Sequence, residues 1–282
     1  HARGVIDLTG QYNQVGPTNE LSLRVSVATL SRVIFPRPGD GVTMLALEHK
    51  ATVIPGASEL QVAVKAQPFG GAIRISNLGE FIKQIGDFNF DSQRSQFEQD
   101  FRGYIQPSNW EVVREFCLRN LGDEDSRDLD SDPSRELVEE FNDTLGIQLQ
   151  PHQYTLAPVT IVVENEPAPT TNLRASGNPT ARIYRIDEVQ IHDPNLARKM
   201  MANSKAHPGE VLQRLALADA QRGGRGRANA MLVAPMEEIR TAYLGIPPER
   251  RGAQLPFKDS FLAGNVAAVL EGIFVPKYRY AG

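Results

Sequence analysis

Alternating and then continuous apolar positions over 21–35 (LSLRVSVATLSRVIF) predict a strand that enters a sheet. Pro36 and Pro38-Gly39-Asp40-Gly41 read as a turn, 42–48 as a second strand and Pro55-Gly56 as a loop. Alternation over 60–66 predicts a third strand, ending at Pro68-Phe69-Gly70-Gly71. From 77 to 132 the apolar spacing turns helical, with Phe81, Ile82 and Ile85, then Phe97 and Phe101, then 110–121, which predicts a helical insertion. The acidic stretch 123–130 closes it as a solvated linker.

Asp132 can accept hydrogen bonds from the first free amides of a helix and Pro133 suits its first position, so a helix is expected over 134–145, with Gly146 able to cap it. Strands over 159–164 and 181–191 flank the turn-rich segment 167–179. Helices over 195–204 and 209–220, a strand over 230–234, a turn or helix over 237–244 and a last helix over 260–273 complete the pattern. Strands and helices in this order predict an α+β fold, a mixed sheet sandwiched between helices, because a doubly wound parallel sheet needs more regular alternation.

The composition fits a chain that folds around its own core. Of 282 residues, 41% are apolar and 23% charged, and 30 basic against 34 acidic residues leave a formal charge of −4. Nothing in that balance attracts nucleic acid or an anionic membrane in general, so any phosphate binding must be local. The one cysteine, Cys117, sits on an apolar helix face and cannot pair within the chain, which points to a reducing, cytoplasmic setting. No apolar run is long enough to span a bilayer, so no membrane partner is expected.

The chemistry concentrates on the helix over 134–145. Glu136, Glu139 and Glu140 fall within an arc of roughly 100° at helical spacing, Asp143 joins them, and Leu137, Val138, Phe141 and Leu145 occupy the other side. Carboxylates this close repel one another unless a cation sits among them, and Mg²⁺ favours one or two protein carboxylates with phosphate oxygens completing its shell. A solvated acidic face, with Arg135 and Glu139 as an i,i+4 pair, is the plainer reading of the same spacing.

Arg135-Glu136-Leu137-Val138-Glu139-Glu140 resembles the core of the Nudix hydrolase signature, and Pro68-Phe69-Gly70-Gly71 resembles the Gly-Gly turn at a strand end that precedes it in that family. The resemblance implies one Nudix-like domain over 1–282, with the insertion at 77–132 standing between the turn and the helix. It implies Mg²⁺ or Mn²⁺ held by Glu139 and Glu140, with Glu136 as a third ligand or a group that orients water. Arg135 would hold the glutamates by a salt bridge, and Gly70 and Gly71 would let phosphate approach the backbone. The implied activity is that of a pyrophosphohydrolase, cleaving the diphosphate linkage of a nucleoside diphosphate derivative. Glu80 could stand for the glutamate expected shortly after the glycine turn, and Glu164, Glu166 and Glu188 are candidates for a later base. The insertion would shape the substrate pocket or form a homodimer contact. The alternative is the same fold without turnover, serving as a nucleotide-sensing or protein-interaction module.

The remaining features carry less. Arg222-Gly223-Gly224-Arg225-Gly226-Arg227 is the one concentrated basic segment; Arg225 and Arg227 could contact a nucleotide phosphate, but the absence of interleaved aromatic residues argues against RNA. Asp128, Asp130, Asp132 and Glu139 have EF-hand-like spacing, which Pro133 breaks where a left-handed glycine is needed. The histidines show no zinc-ligand spacing.

Overall fold

The computed structural model describes residues 21–54, 61–123, 126–164, 167–170, 172–251, 255–270 and 278–281. Pro55-Gly56, Glu124-Asp125, Glu166 and the end of the expected last helix lie outside them. In chain order the strands are β1 (Leu23–Pro36), β2 (Thr43–Ile54), β3 (Gln61–Gln67), β4 (Arg74–Ile75), β5 (Phe88–Phe90), β6 (Arg102–Ile105), β7 (Leu129–Asp130), β8 (Tyr154–Glu164), β9 (Thr180–Ile191), β10 (Arg227–Pro235), β11 (Leu255–Phe257), β12 (Ser260–Leu262) and β13 (Tyr278–Ala281). The helices are α1 (Leu78–Ile85), α2 (Gln93–Glu98), α3 (Trp110–Leu121), α4 (Pro133–Leu145), α5 (Pro194–Ala206), α6 (Gly209–Gln221) and α7 (Met236–Leu244).

The architecture is mixed α/β. The main sheet runs β11-β12-β3-β2-β1-β9-β8-β13, with β10 on β2 and the β5–β6 hairpin on β1. It is mixed, since β1 pairs parallel with β9 over a long register while β2 and β8 pair antiparallel with their neighbours. Period-2 alternation along β1 sends Ala28 and Leu30 into a cluster with Ile239 and Tyr243 of α7, and Val33 and Phe35 into another with Leu137 and Phe141 of α4 and Leu196 and Met200 of α5. Helices therefore cover both faces.

A gap in the pairing of β1 positions the site. β6 pairs with residues 23–26 of β1 and β2 with residues 33–36, so the edge between them is open to other partners. The segment just after β3 fills it: the Thr29 N–H donates to the Gly71 carbonyl at 3.0 Å, the Ser31 N–H to Phe69 at 2.8 Å, and the Ile73 N–H to the Val27 carbonyl at 3.1 Å. Backbone groups on a buried strand edge require partners, and this segment supplies them.

Two sequence expectations change. Segment 77–132 is not helical throughout: besides α1, α2 and α3 it holds the β5–β6 hairpin, which extends the main sheet, and β7, which pairs with β4. The Phe88-Asn89-Phe90 alternation is a strand pattern that helical spacing on either side obscures. Phe97, expected among the apolar helix positions, is 89% exposed. The expected helix over 260–273 is instead β12 followed by a 3-10 turn at Gly264–Val269. The parallel edge of β3 captures 260–262, and the Ala263 N–H donates to the Ala66 carbonyl at 2.8 Å, a tertiary pairing that overrides local helical spacing.

β12 also closes over a buried histidine. His49 and Ser260 are both buried, and His49 Nε2 lies 2.5 Å from Ser260 Oγ. Burial pushes the His49 imidazole down to about 4, against the opposing pull of Asp259 and of a backbone hydrogen bond to His207. Below pH about 6.5 the unfolded chain takes up a proton that the folded chain refuses until about pH 4. Through that window the His49 contribution to stability falls by about 1.4 kcal/mol per pH unit. Denaturant titrations at pH 7 and pH 4.5 are expected to show a smaller acid loss for His49→Gln than for the unsubstituted chain; equal losses would assign the acid sensitivity to other groups.

Candidate functional site

α4 begins where the sequence places it. Asp132 accepts from the Ser134 N–H at 2.8 Å, Pro133 takes the first turn, and the Gly146 N–H donates to the Asn142 carbonyl at the far end. Leu137 and Phe141 are buried, and the Phe141 ring stands 5.2 Å from that of Phe69, which pins α4 against the glycine turn.

The acidic arc of α4 divides on contact with that turn. Glu140 faces inward, and the Gly70 N–H donates to its Oε2 at 2.7 Å. The Glu136 carboxylate occupies the space beside Gly71, so close that a Cβ built there would lie 2.1 Å from it. Arg135 Nη1 is 2.6 Å from Glu136 Oε1 and 3.8 Å from Glu139 Oε1. Glu139 is exposed, as is Asp143. The structure thus brings Gly70, Gly71, Arg135, Glu136 and Glu140 together across the whole of segment 77–132 and leaves Glu139 at the solvent edge.

Glu48 is the functional candidate that the sequence did not disclose. It sits in an ordinary strand pattern, yet it is 2% exposed, ion-pairs with Lys50 and accepts from Gln67 Nε2 at 3.0 Å. Burial first, then the charges of Glu48 and Glu136, hold the Glu140 carboxyl well above its ordinary value, opposed by Lys50 and the Gly70 N–H. The one available signal was a glutamate directly after the apolar run 44–47 with a lysine two residues on, since carboxylates are rarely buried unless paired. Among the described residues no group of three or more His, Cys, Asp or Glu side chains is gathered closely enough to hold a metal ion by itself. Glu136 and Glu140 offer two oxygen donors, the number that Mg²⁺ commonly takes from protein when phosphate completes its shell.

A cleft of about 810 Å³ opens beside the turn. Gly70, Gly71 and Gln67 line it, so the residues that donate to Glu140 and Glu48 also form its wall. Of the later base candidates, Glu164 lines this cleft, buried and 3.2 Å from Arg182, whereas Glu188 pairs with Arg32 at 2.7 Å. Glu80 pairs with Lys83 on α1. Arg225 and Arg227 are not brought to the site. Both are exposed, and Arg227 pairs with Thr52, four residues along β2 from Glu48, about 13 Å at strand rise. Their loop is fastened by Asp219, which accepts from the Gly226 N–H at 2.9 Å.

Cys117 is fully buried and burial raises its thiol, so it has no thiolate to offer. Ellman's reagent is expected to find no reactive thiol in the folded protein and a stoichiometric one in denaturant; labelling of the folded chain would contradict this burial. Among the described residues no helix is long and apolar enough to cross a membrane. Compared with family models, with curated proteins and with solved structures, the chain gives no match.

Proposed function

We propose that the protein is a Nudix-like hydrolase, one domain interrupted by segment 77–132, that cleaves the diphosphate linkage of a nucleoside diphosphate derivative. The observation that carries this reading is the meeting of Gly70-Gly71 with Glu136 and Glu140 across a long intervening segment. The turn and the acidic helix, which resemble parts of one signature, stand together in the fold as that signature would have them.

The chain's own groups divide the work. Arg135 steadies the Glu136 carboxylate, the Gly70 N–H fixes Glu140, and Gly71 leaves the space that a side chain would fill. Glu136 and Glu140 would hold Mg²⁺ or Mn²⁺, with Glu139 at the rim. Such an ion would neutralise diphosphate charge and lower the pKa of bound water. The crowding that raises the Glu140 carboxyl is the condition a cation relieves. The cleft beside the turn would seat the rest of the substrate.

The test is incubation with Mg²⁺ or Mn²⁺ and a panel of nucleoside diphosphate sugars, dinucleoside polyphosphates, nicotinamide dinucleotides and nucleoside triphosphates, with product release followed against Glu140→Gln. Metal-dependent cleavage lost in that variant supports the hydrolase. Nucleotide binding without cleavage in either form would replace it with a nucleotide-sensing role on the same scaffold.

A further inference from the structure

The cleft beside the glycine turn carries a surplus of positive charge. Arg24, Lys65, Arg102, Arg174 and Arg182 line it together with Glu164. Asp91 stands behind Arg24 at 2.6 Å and Asp100 behind Arg102 at 3.5 Å. Five cations against these three carboxylates leave a surplus of two positive charges.

The arrangement of these groups is set by the sheet register. Ser26 of β1 lies opposite Arg102 on β6 and opposite Arg182 on β9, so the two arginines flank it in one row across the sheet, and all three residues line the cleft. Residues directly opposite on neighbouring strands project to the same face. Arg174 lines the cleft from the 3-10 turn after β8, where its carbonyl accepts from the hydroxyl of Tyr104, the residue opposite Arg24. Both row arginines keep solvent access, with side chains 29% and 22% exposed. The Thr29 and Ser31 amides, bonded to the Gly71 and Phe69 carbonyls, mark the level of the glycine turn. Ser26 is three to four residues along β1 from it, about 10–13 Å away at strand rise.

The geometry points to a second anion subsite at Ser26, Arg102, Arg174 and Arg182, which takes a phosphate beyond the diphosphate to be cleaved. This inference rests on the hydrolase reading for the position of the scissile group. Guanidinium forks match phosphate oxygens in pairs, so arginines lining one cleft favour a phosphate over a sugar hydroxyl. Tyr184 is the single aromatic ring among the described residues that line the cleft, so little surface there favours a stacked base. The substrate class is therefore a nucleoside polyphosphate or a diphosphate ester with a further phosphomonoester.

The experiment is calorimetric titration of the full chain, with Mg²⁺ present, by inorganic pyrophosphate, tripolyphosphate and tetrapolyphosphate. Affinity is expected to rise at least about tenfold along the series, the scale of one added charge-assisted contact. In Arg102→Gln and Arg174→Gln the rise should shrink to under about twofold, while Arg102→Lys and Arg174→Lys retain part of it. Circular dichroism identifies any variant that fails to fold, and the unsubstituted series with the remaining variant then decides. Equal affinity for the three anions, or a rise that no arginine variant alters, overturns the subsite. Cleavage assays separate the two readings. A chain-length preference without cleavage of any diphosphate leaves the subsite standing and removes the hydrolase; cleavage without that preference does the reverse. Ranking a linear nucleoside tetraphosphate against a dinucleotide diphosphate with a separate phosphomonoester then distinguishes the two substrate forms.

Discussion

Glu140→Gln is expected to abolish metal-dependent cleavage, by about 10³-fold or more, while making the metal-free protein more stable. The two effects have one cause. Glu140 is placed, partly buried, among Glu48 and Glu136, and its carboxyl is held well above the ordinary value by burial and by those charges. Glutamine keeps an oxygen that accepts from the Gly70 N–H and removes the charge that the site disfavours. A carboxyl whose folded value is raised destabilises the fold progressively as pH rises from its unfolded value through its folded one. The advantage of the variant should therefore be small near pH 4 and grow toward neutral pH, with melting at pH 7.5 in chelator at least about 2 °C higher than that of the unsubstituted chain. Saturating Mg²⁺ should raise the unsubstituted protein and leave the variant largely unmoved. Glu139→Gln is the internal comparison: its side chain is exposed beside Arg135, so loss of activity should be far smaller and melting unchanged within about 1 °C. Equal losses from both substitutions would return Glu139 to the ligand role that its spacing suggested.

Why the sequence ranked Glu139 with Glu140 is a matter of what helical periodicity can resolve. A 100° step per residue places both in one arc, but it does not say which edge of that arc meets a neighbour. That is decided by Phe141 packing on Phe69, a contact between segments more than seventy positions apart. The same holds for Glu48 and for Arg102 and Arg182, which come from β6 and β9 and become neighbours of Ser26 through strand register alone. Local chemistry was legible where it is local: Asp132-Pro133 announced the start of α4, and alternation announced β1 and β3. β5 and β12 were hidden because three-residue strands owe their existence to the edges they join, and a run that short carries no period of its own.

The two glycines of the turn should respond very differently to a methyl group. Gly70 has φ of +152°, a region L side chains avoid, and a Cβ there would stand 2.1 Å from the Thr29 carbonyl oxygen. That oxygen belongs to β1, whose backbone on the same stretch is tied to the turn by the Thr29 and Ser31 amides. Neither side can yield without breaking the pairing that fills the open edge of β1. Gly70→Ala is thus expected to cost about 3 kcal/mol or more, visible as a lowered denaturant midpoint, and to end cleavage because the displaced turn no longer presents its N–H to Glu140. At Gly71 the obstacle is the Glu136 side chain, with Oε2 2.1 Å, Cδ 2.3 Å and Cγ 2.8 Å away, a flexible group rather than backbone. Glu136 can swing aside, so Gly71→Ala should fold with a loss under about 1 kcal/mol. Its catalytic defect should nonetheless be large, because the carboxylate that moves is one of the two proposed ligands. Denaturation curves and turnover measured on the same two variants test this directly. If Gly71→Ala keeps full activity, Glu136 is not a ligand; if Gly70→Ala is as stable as the unsubstituted chain, the turn does not close on β1 as described.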